Sequence, residues 1–151
     1  MPDVFISHSS KDNEFVRKLY TRLTGDGVDC FFDEVSIGWG DNWVRVLERA
    51  IDECKFIVFV LSPDFCESKW AEVERTTSLA TDPSGLQRKV RPLLLQECRH
   101  LTSFPRFLQQ VQLVDVSSEE RFEENYRRIC SALEPYPRRG RPRSGELRAQ
   151  L

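Results

Sequence analysis

The residues with the most chemical content lie in the run Ser62-Pro63-Asp64-Phe65-Cys66-Glu67-Ser68-Lys69-Trp70-Ala71-Glu72-Val73-Glu74. Trp70 and Glu74 stand four positions apart, so a helix through both puts an indole and a carboxylate on one face. A carboxylate held in that way can stabilise or trap positive charge that develops at a sugar carbon as a glycosidic bond breaks. Glu72 lies roughly 200° around the helix from Trp70 and points elsewhere. Residue 78 is serine, so Glu74 lacks the basic partner one turn on that a surface glutamate often has. The plainer readings are a solvated carboxylate for Glu74 and core packing for Trp70.

Position along the chain gives those residues their setting. Phe56-Ile57-Val58-Phe59-Val60-Leu61 is a short run of β-branched and aromatic residues closed by Ser62-Pro63, which predicts a buried parallel strand. The helix after it is expected from about Lys69 to Ala80, opening near Ser68 as a cap. Earlier, Val4–Ser7 predicts a first strand, Asp12–Thr24 a helix stopped by Gly25-Asp26-Gly27, and Val28–Phe32 a second strand. Trp43, Val46, Leu47, Ala50, Ile51 and Cys54 form the apolar stripe of a second helix capped by Asp41 or Asn42. Pro83-Ser84-Gly85 breaks the chain before a fourth strand, Val90–Leu95. Leu101–Gln110 reads as a short helix or irregular crossing, Gln112–Val116 as a fifth strand, and Ser118 as the cap of a helix running to about Leu133.

Strand and helix thus alternate about five times, which predicts an α/β fold, a flavodoxin-like five-stranded parallel sheet with helices on both faces. In that strand order the crevice opens between the first and third strands, beyond their carboxyl ends. The loops leaving those strands are His8-Ser9-Ser10-Lys11 and Ser62–Trp70, the two most chemically distinctive in the chain.

At 151 residues with 40% hydrophobic and 30% charged side chains, the chain suits one soluble globular domain. A net charge of −2 gives no reason to expect nucleic acid or an anionic membrane as partner. No apolar run is long enough to span a bilayer, and Met1-Pro2-Asp3 leads directly into a strand, so no signal peptide is expected. Cys30, Cys54, Cys66, Cys98 and Cys130 never form C-x-x-C, which points to reduced, buried thiols and a cytoplasmic protein. With two histidines far apart, no metal site is expected. There is no G-x-G-x-x-G and no P-loop. Residues 1–134 are expected to be one domain. Residues 135–151, rich in Arg, Pro and Gly, read as a linker or tail leading to a missing sensor domain. Arg139-Gly140-Arg141-Pro142 is similar to the core of an AT-hook, but such runs are common in linkers and nucleic acid is not expected.

Four blocks in order resemble a Toll/interleukin-1 receptor (TIR) domain of the bacterial NAD+-cleaving type. They are Val4–Asp12, Phe32-Asp33 with the Gly38–Trp43 loop, Val58–Ser62, and Ser68-Lys69-Trp70 with Glu74, spread over about residues 3–134. The resemblance implies an NAD+ glycohydrolase that cleaves the nicotinamide–ribose bond, with NAD+ as substrate and no cofactor, and Glu74 as the catalytic residue. It implies substrate contacts from His8, Ser9, Ser10, Lys11, Asp33, Trp43, Ser62 and Trp70, with Lys11 a point charge near the diphosphate. Asp33 either bonds a ribose hydroxyl or holds its loop, and Trp43 is core by its own stripe. Many members carry an aromatic or arginine where His8 and Ser9 stand. Trp39, flanked by Gly38 and Gly40, has no stripe to join and is expected at a TIR–TIR interface. Activity would then depend on self-association, in an effector of antiviral defence. The alternative reading is a non-catalytic TIR scaffold acting by homotypic assembly. A receiver domain is a more distant fit, because a full phospho-acceptor pattern is lacking.

Overall fold

The central strand is β3, Phe56–Leu61, with all six side chains buried. Both of its faces must be apolar because helices cover both sides of a parallel sheet. The computed structural model describes residues 2–32, 43–79 and 81–133. Besides β3 the sheet contains β1 (Val4–Ser7), β2 (Cys30–Phe32), β4 (Val90–Leu94) and β5 (Val114–Asp115), in the order β2-β1-β3-β4-β5. All four pairings are parallel, with Ile6 opposite Phe32 on one side and Val58 on the other. This is the predicted flavodoxin-like order. The chain reverses its direction of winding between β1 and β3, and a crevice opens there.

Alternation along the strands sorts the core into two layers. Val4, Ile6, Val58 and Val60 pack under α1 (Asn13–Gly25) and α5 (Glu119–Ala132), through Val16, Leu19, Leu23, Phe122, Tyr126 and Ile129. Phe5, Ile57, Phe59 and Leu61 face the other way, onto α2 (Trp43–Glu53), α3 (Ala71–Thr76) and α4 (Ser84–Lys89). α1 stops as expected: Gly27 adopts φ 89°, a conformation that glycine takes without strain. Ser118 caps α5 by accepting from the Arg121 N–H, also as expected.

Three differences from the sequence reading stand out, besides a β2 that covers only Cys30–Phe32 of the expected Val28–Phe32. The helix after β3 starts at Pro63, not near Ser68, and runs as wide π-helical turns over Phe65–Trp70 before tightening into α3. The cap is Ser62, whose Oγ accepts from the Phe65 N–H at 3.2 Å. Ser68 is already inside the helix and donates to the Asp64 carbonyl at 2.6 Å. The helix also ends at Thr76 instead of Ala80. Secondly, α4 begins within the expected break. Leu86 buries its side chain, and Lys89 donates to the Cys54 carbonyl at 2.7 Å, so a cation finishes the carboxyl end of α2. Thirdly, β5 is only two residues long. The five cysteines are free thiols, four of them buried, as expected.

Candidate active site

The carboxyl ends of β1 and β3 are stitched together by two reciprocal Ser–Asp pairs. Ser9, leaving β1, donates its hydroxyl to Asp64 in the β3 loop. Ser62, leaving β3, donates to Asp12 Oδ2 in the β1 loop at 2.7 Å. Each serine also accepts a backbone N–H, from Lys11 for Ser9 at 3.1 Å and from Phe65 for Ser62 at 3.2 Å. Both serines are 1% exposed, so these bonds form away from water, where losing a partner is costly. Lys11 Nζ adds an ion pair to Asp64 Oδ1 at 3.3 Å from a mostly exposed position.

The Ser9 hydrogen bond, with Lys11 reinforcing it against partial burial, holds the Asp64 carboxyl below its ordinary value. A lowered folded-state pKa stabilises the protein above the unfolded value of 3.8, and that stability is lost as pH falls through the folded value. Asp64→Asn is therefore expected to cost about 1 kcal/mol at neutral pH. Urea midpoints for the variant and the wild type should converge below pH 3.8. A gap that stays constant from neutral pH into that acid range would rule out a stabilising Asp64 carboxylate.

His8 is buried, and burial, assisted by the positive charge of Lys69, lowers its pKa. The ring is then neutral at physiological pH. Its Nε2 lies 2.6 Å from Asn13 Oδ1, and with that oxygen accepting, Nε2 carries the proton. The ring meets Phe32 edge-on, with centroids 5.6 Å apart, where β2 ends. Ser10 is exposed in the 3₁₀ turn Ser10–Asp12 that precedes α1.

Trp43 and Trp70 are both core residues, 2% and 1% exposed. Trp43 packs on Phe65, and Trp70 sits between Phe59 and Phe107. Both indole N–H groups are buried and find no hydrogen-bond acceptor among the described residues, nor does the Ser7 hydroxyl at the end of β1 find a partner there. Glu74 lies one turn beyond Trp70 in α3. Its side chain is exposed and makes no hydrogen bond or ion pair with any described residue. Its charge reaches the Cys66 thiol, whose pKa is raised first by hydrogen bonding to Cys98, then by burial, with Glu74 a smaller contribution.

The structure thus gathers His8, Ser9, Lys11, Ser62 and Trp43 around the β1 and β3 loops, with Glu74 on the adjoining helix. Asp33, Gly38, Trp39 and Gly40 lie outside the described residues. Sequence reasoning missed the part played by Asp12 and Asp64, although each follows a strand-ending serine within three positions. It also assigned nothing to Lys69, a buried lysine with its ammonium 5.5 Å from the Trp43 ring centroid.

Several known proteins are similar to this chain. An NAD(+) hydrolase, TcpA, from the archaeon Theionarchaea archaeon (strain DG-70-1) is 34% identical over 84 residues, 55% of this chain and 26% of that protein. A 2′ cyclic ADP-D-ribose synthase, AbTIR, from Acinetobacter baumannii (strain 1295743) is 34% identical over 84 residues, covering 55% and 31%. The matched stretch thus amounts to less than a third of either relative. Among solved structures, a prokaryotic SEFIR domain superposes with a TM-score of 0.66 at 21% identity, covering 94% of this chain and 98% of that one. The TIR domain of the Toll-related receptor TRR-2 from Hydra magnipapillata gives 0.65 at 21% identity, covering 88% and 98%. These two likenesses establish the fold. The sequence profile described as the TIR domain matches residues 4–130, so the chain belongs to the TIR-domain family.

Proposed function

We propose that this protein is an NAD+ glycohydrolase in which Glu74 is the catalytic carboxylate. The observation that carries the proposal is the position of Glu74. It is a carboxylate unengaged by any described residue, one turn past a buried indole, on the helix leaving the central strand at the sheet edge where α/β folds bind ligands. Relatives named NAD(+) hydrolase and 2′ cyclic ADP-D-ribose synthase support the choice of substrate.

The chemistry asks little of the protein beyond that carboxylate. Nicotinamide is cationic in NAD+, so when the C1′–N bond breaks the electron pair returns to the ring nitrogen and a neutral leaving group departs without protonation. The positive charge moves to C1′ and its ring oxygen. A carboxylate against that face stabilises the oxocarbenium-like state or traps it. Water then adds to C1′ and releases a proton, giving ADP-ribose; attack by a ribose hydroxyl would give a cyclic product instead. His8, Ser10, Lys11 and Asp33 are proposed to hold the ribose and diphosphate, and Trp43 and Trp70 to back the pocket. Ser9 and Ser62 are proposed to serve chiefly by fixing the two loops.

In this reading the domain is slow as a monomer and is activated by self-association, with Trp39 on its Gly38–Gly40 loop at the contact. It would serve as a cytoplasmic effector of antiviral defence, tethered to a sensor that gathers copies. Among the described residues no helix is long and apolar enough to cross a membrane. The test is to incubate the protein with NAD+ over a range of protein concentrations and follow free nicotinamide. A specific rate that rises with concentration is expected. A concentration-independent rate would remove the assembly mechanism, and no nicotinamide at any concentration would leave the non-catalytic scaffold.

A further inference from the structure

Cys66 and Cys98 are buried nucleophiles that the reaction above leaves unused. Both lie wholly inside the core layer that α2 and α3 cover, and their thiols hydrogen-bond to each other. Cys66 sits in the wide helical turns that follow β3, and Cys98 in the segment after β4. The topology makes the pair, because β3 and β4 are parallel neighbours and both segments leave at the carboxyl ends. The hydrogen bond also divides the two chemically. It holds Cys66 in the thiol form, with its pKa raised, and lowers that of Cys98, so Cys98 is the one that yields a thiolate.

Their cover is thin. Gln96, Glu97, Arg99 and His100 are all exposed, so Cys98 is the single inward-facing side chain of a surface turn. That turn lies outside the sheet ladder, and the Leu101 N–H donates to the Cys98 carbonyl across it at 3.1 Å. Such a turn opens locally at far lower cost than the sheet beneath it, and a small oxidant needs little room. Two thiols already in contact let the first oxidation product be captured by its neighbour before it reacts further.

We propose that Cys66 and Cys98 are a redox-sensitive dithiol that a small peroxide closes to a disulfide, slowing the site on α3. The Cys98 thiolate attacks one oxygen of hydrogen peroxide, the O–O bond breaks, and the departing hydroxide takes up the Cys98 proton as water. Cys98 is then a sulfenic acid. The Cys66 sulfur attacks that sulfur, the S–S bond forms, and hydroxide leaves with the Cys66 proton as a second water. Two thiols have lost two electrons and two protons, and one peroxide has become two waters. Cys66 stands four residues before Trp70 and eight before Glu74, while Cys98 leads toward Phe107, which packs on Trp70. A disulfide holds its sulfurs far closer than a hydrogen bond does. Closing it therefore shifts the helix that carries Glu74, and an error of about 1 Å in a reacting geometry costs up to about a hundredfold in rate. The effect on rate rests on the NAD+-cleaving reading; the disulfide does not.

The experiment treats the folded full chain with hydrogen peroxide, alkylates the remaining thiols and maps the products by peptide mass spectrometry, alongside nicotinamide release. A Cys66–Cys98 crosslink, reversed by dithiothreitol, is expected as the first product. Cys66→Ser should instead leave Cys98 as a sulfenic acid that dimedone captures. Nicotinamide release should fall at least about fivefold in oxidised wild type and return on reduction, while Cys98→Ser should keep its untreated rate. No crosslink in the folded wild type, or a first disulfide between any other pair, would overturn the site. A crosslink that leaves the rate unchanged would overturn the switch. If the crosslink forms and neither state releases nicotinamide, the dithiol stands, and the glycohydrolase reading falls together with the effect on rate.

Discussion

Glu74→Gln is expected to reduce nicotinamide release a few hundredfold or more while leaving the fold intact. Removing one charge contact made only in the transition state costs about 3–4 kcal/mol. Glutamine keeps the shape and loses the charge, so the effect should appear in kcat and kcat/KM together. Stability should barely move. The Glu74 side chain is exposed and bonds to no described residue, and substitutions at such sites usually stay within about 0.5 kcal/mol. Glu72→Ala is the matched control, since Glu72 shares the helix but not the face of Trp70. Steady-state kinetics on the two variants, with a thermal melt of each, decide the matter. Undiminished turnover in Glu74→Gln would remove Glu74 from the reaction.

That expectation was available from sequence because the i, i+4 rule needs only a helix, and the helix is there. Its start was misread for a physical reason. Ser62 and Ser68 are both plausible caps, and the choice depends on where the strand lets go. Ser62 wins because its hydroxyl can accept from Phe65 while donating across to Asp12, a partner fifty residues away that no local pattern reveals. The same applies to Ser9 and Asp64: the types were conspicuous, but the pairing exists only because the topology sets β1 beside β3. The sheet itself was legible, since β3 is apolar without interruption and short apolar runs alternate with helix-period segments along the chain. α4 was hidden by Pro83 and Gly85, which look like a break, although proline is readily accepted at a helix start. Lys69 shows a further limit. Lysine is almost never fully buried, so nothing in its type announces a charge held against an aromatic face in the interior.

The largest effect on stability should come from the two tryptophans, and their effects should be coupled. Trp43, Phe65, Phe59, Trp70 and Phe107 form one continuous chain of ring contacts, with successive centroids 6.3, 5.1, 5.9 and 5.5 Å apart. This chain ties the start of α2 to β3, to the helix carrying Glu74 and to the segment after β4. Trp43→Ala and Trp70→Ala should each cost about 3–5 kcal/mol, the sum of lost transfer energy and the cavity left behind. For a domain of this size that lowers the melting temperature by roughly 6–20 °C. The double variant should depart from additivity by at least about 0.5 kcal/mol, because Phe59 and Phe65 lie between the two rings and relax into whichever cavity opens. Trp70→Phe should cost less than about 1.5 kcal/mol, since a ring remains against Phe59 and Phe107 and the unsatisfied indole N–H is gone. If Trp70 also backs the substrate pocket, that mild variant should still lose turnover, through the wall it presents beside Glu74. Chemical denaturation of the four variants reads the stabilities. A loss under about 1 kcal/mol for Trp70→Ala would mean the ring is not core, and strict additivity with Trp43→Ala would mean that the aromatic chain does not act as one unit.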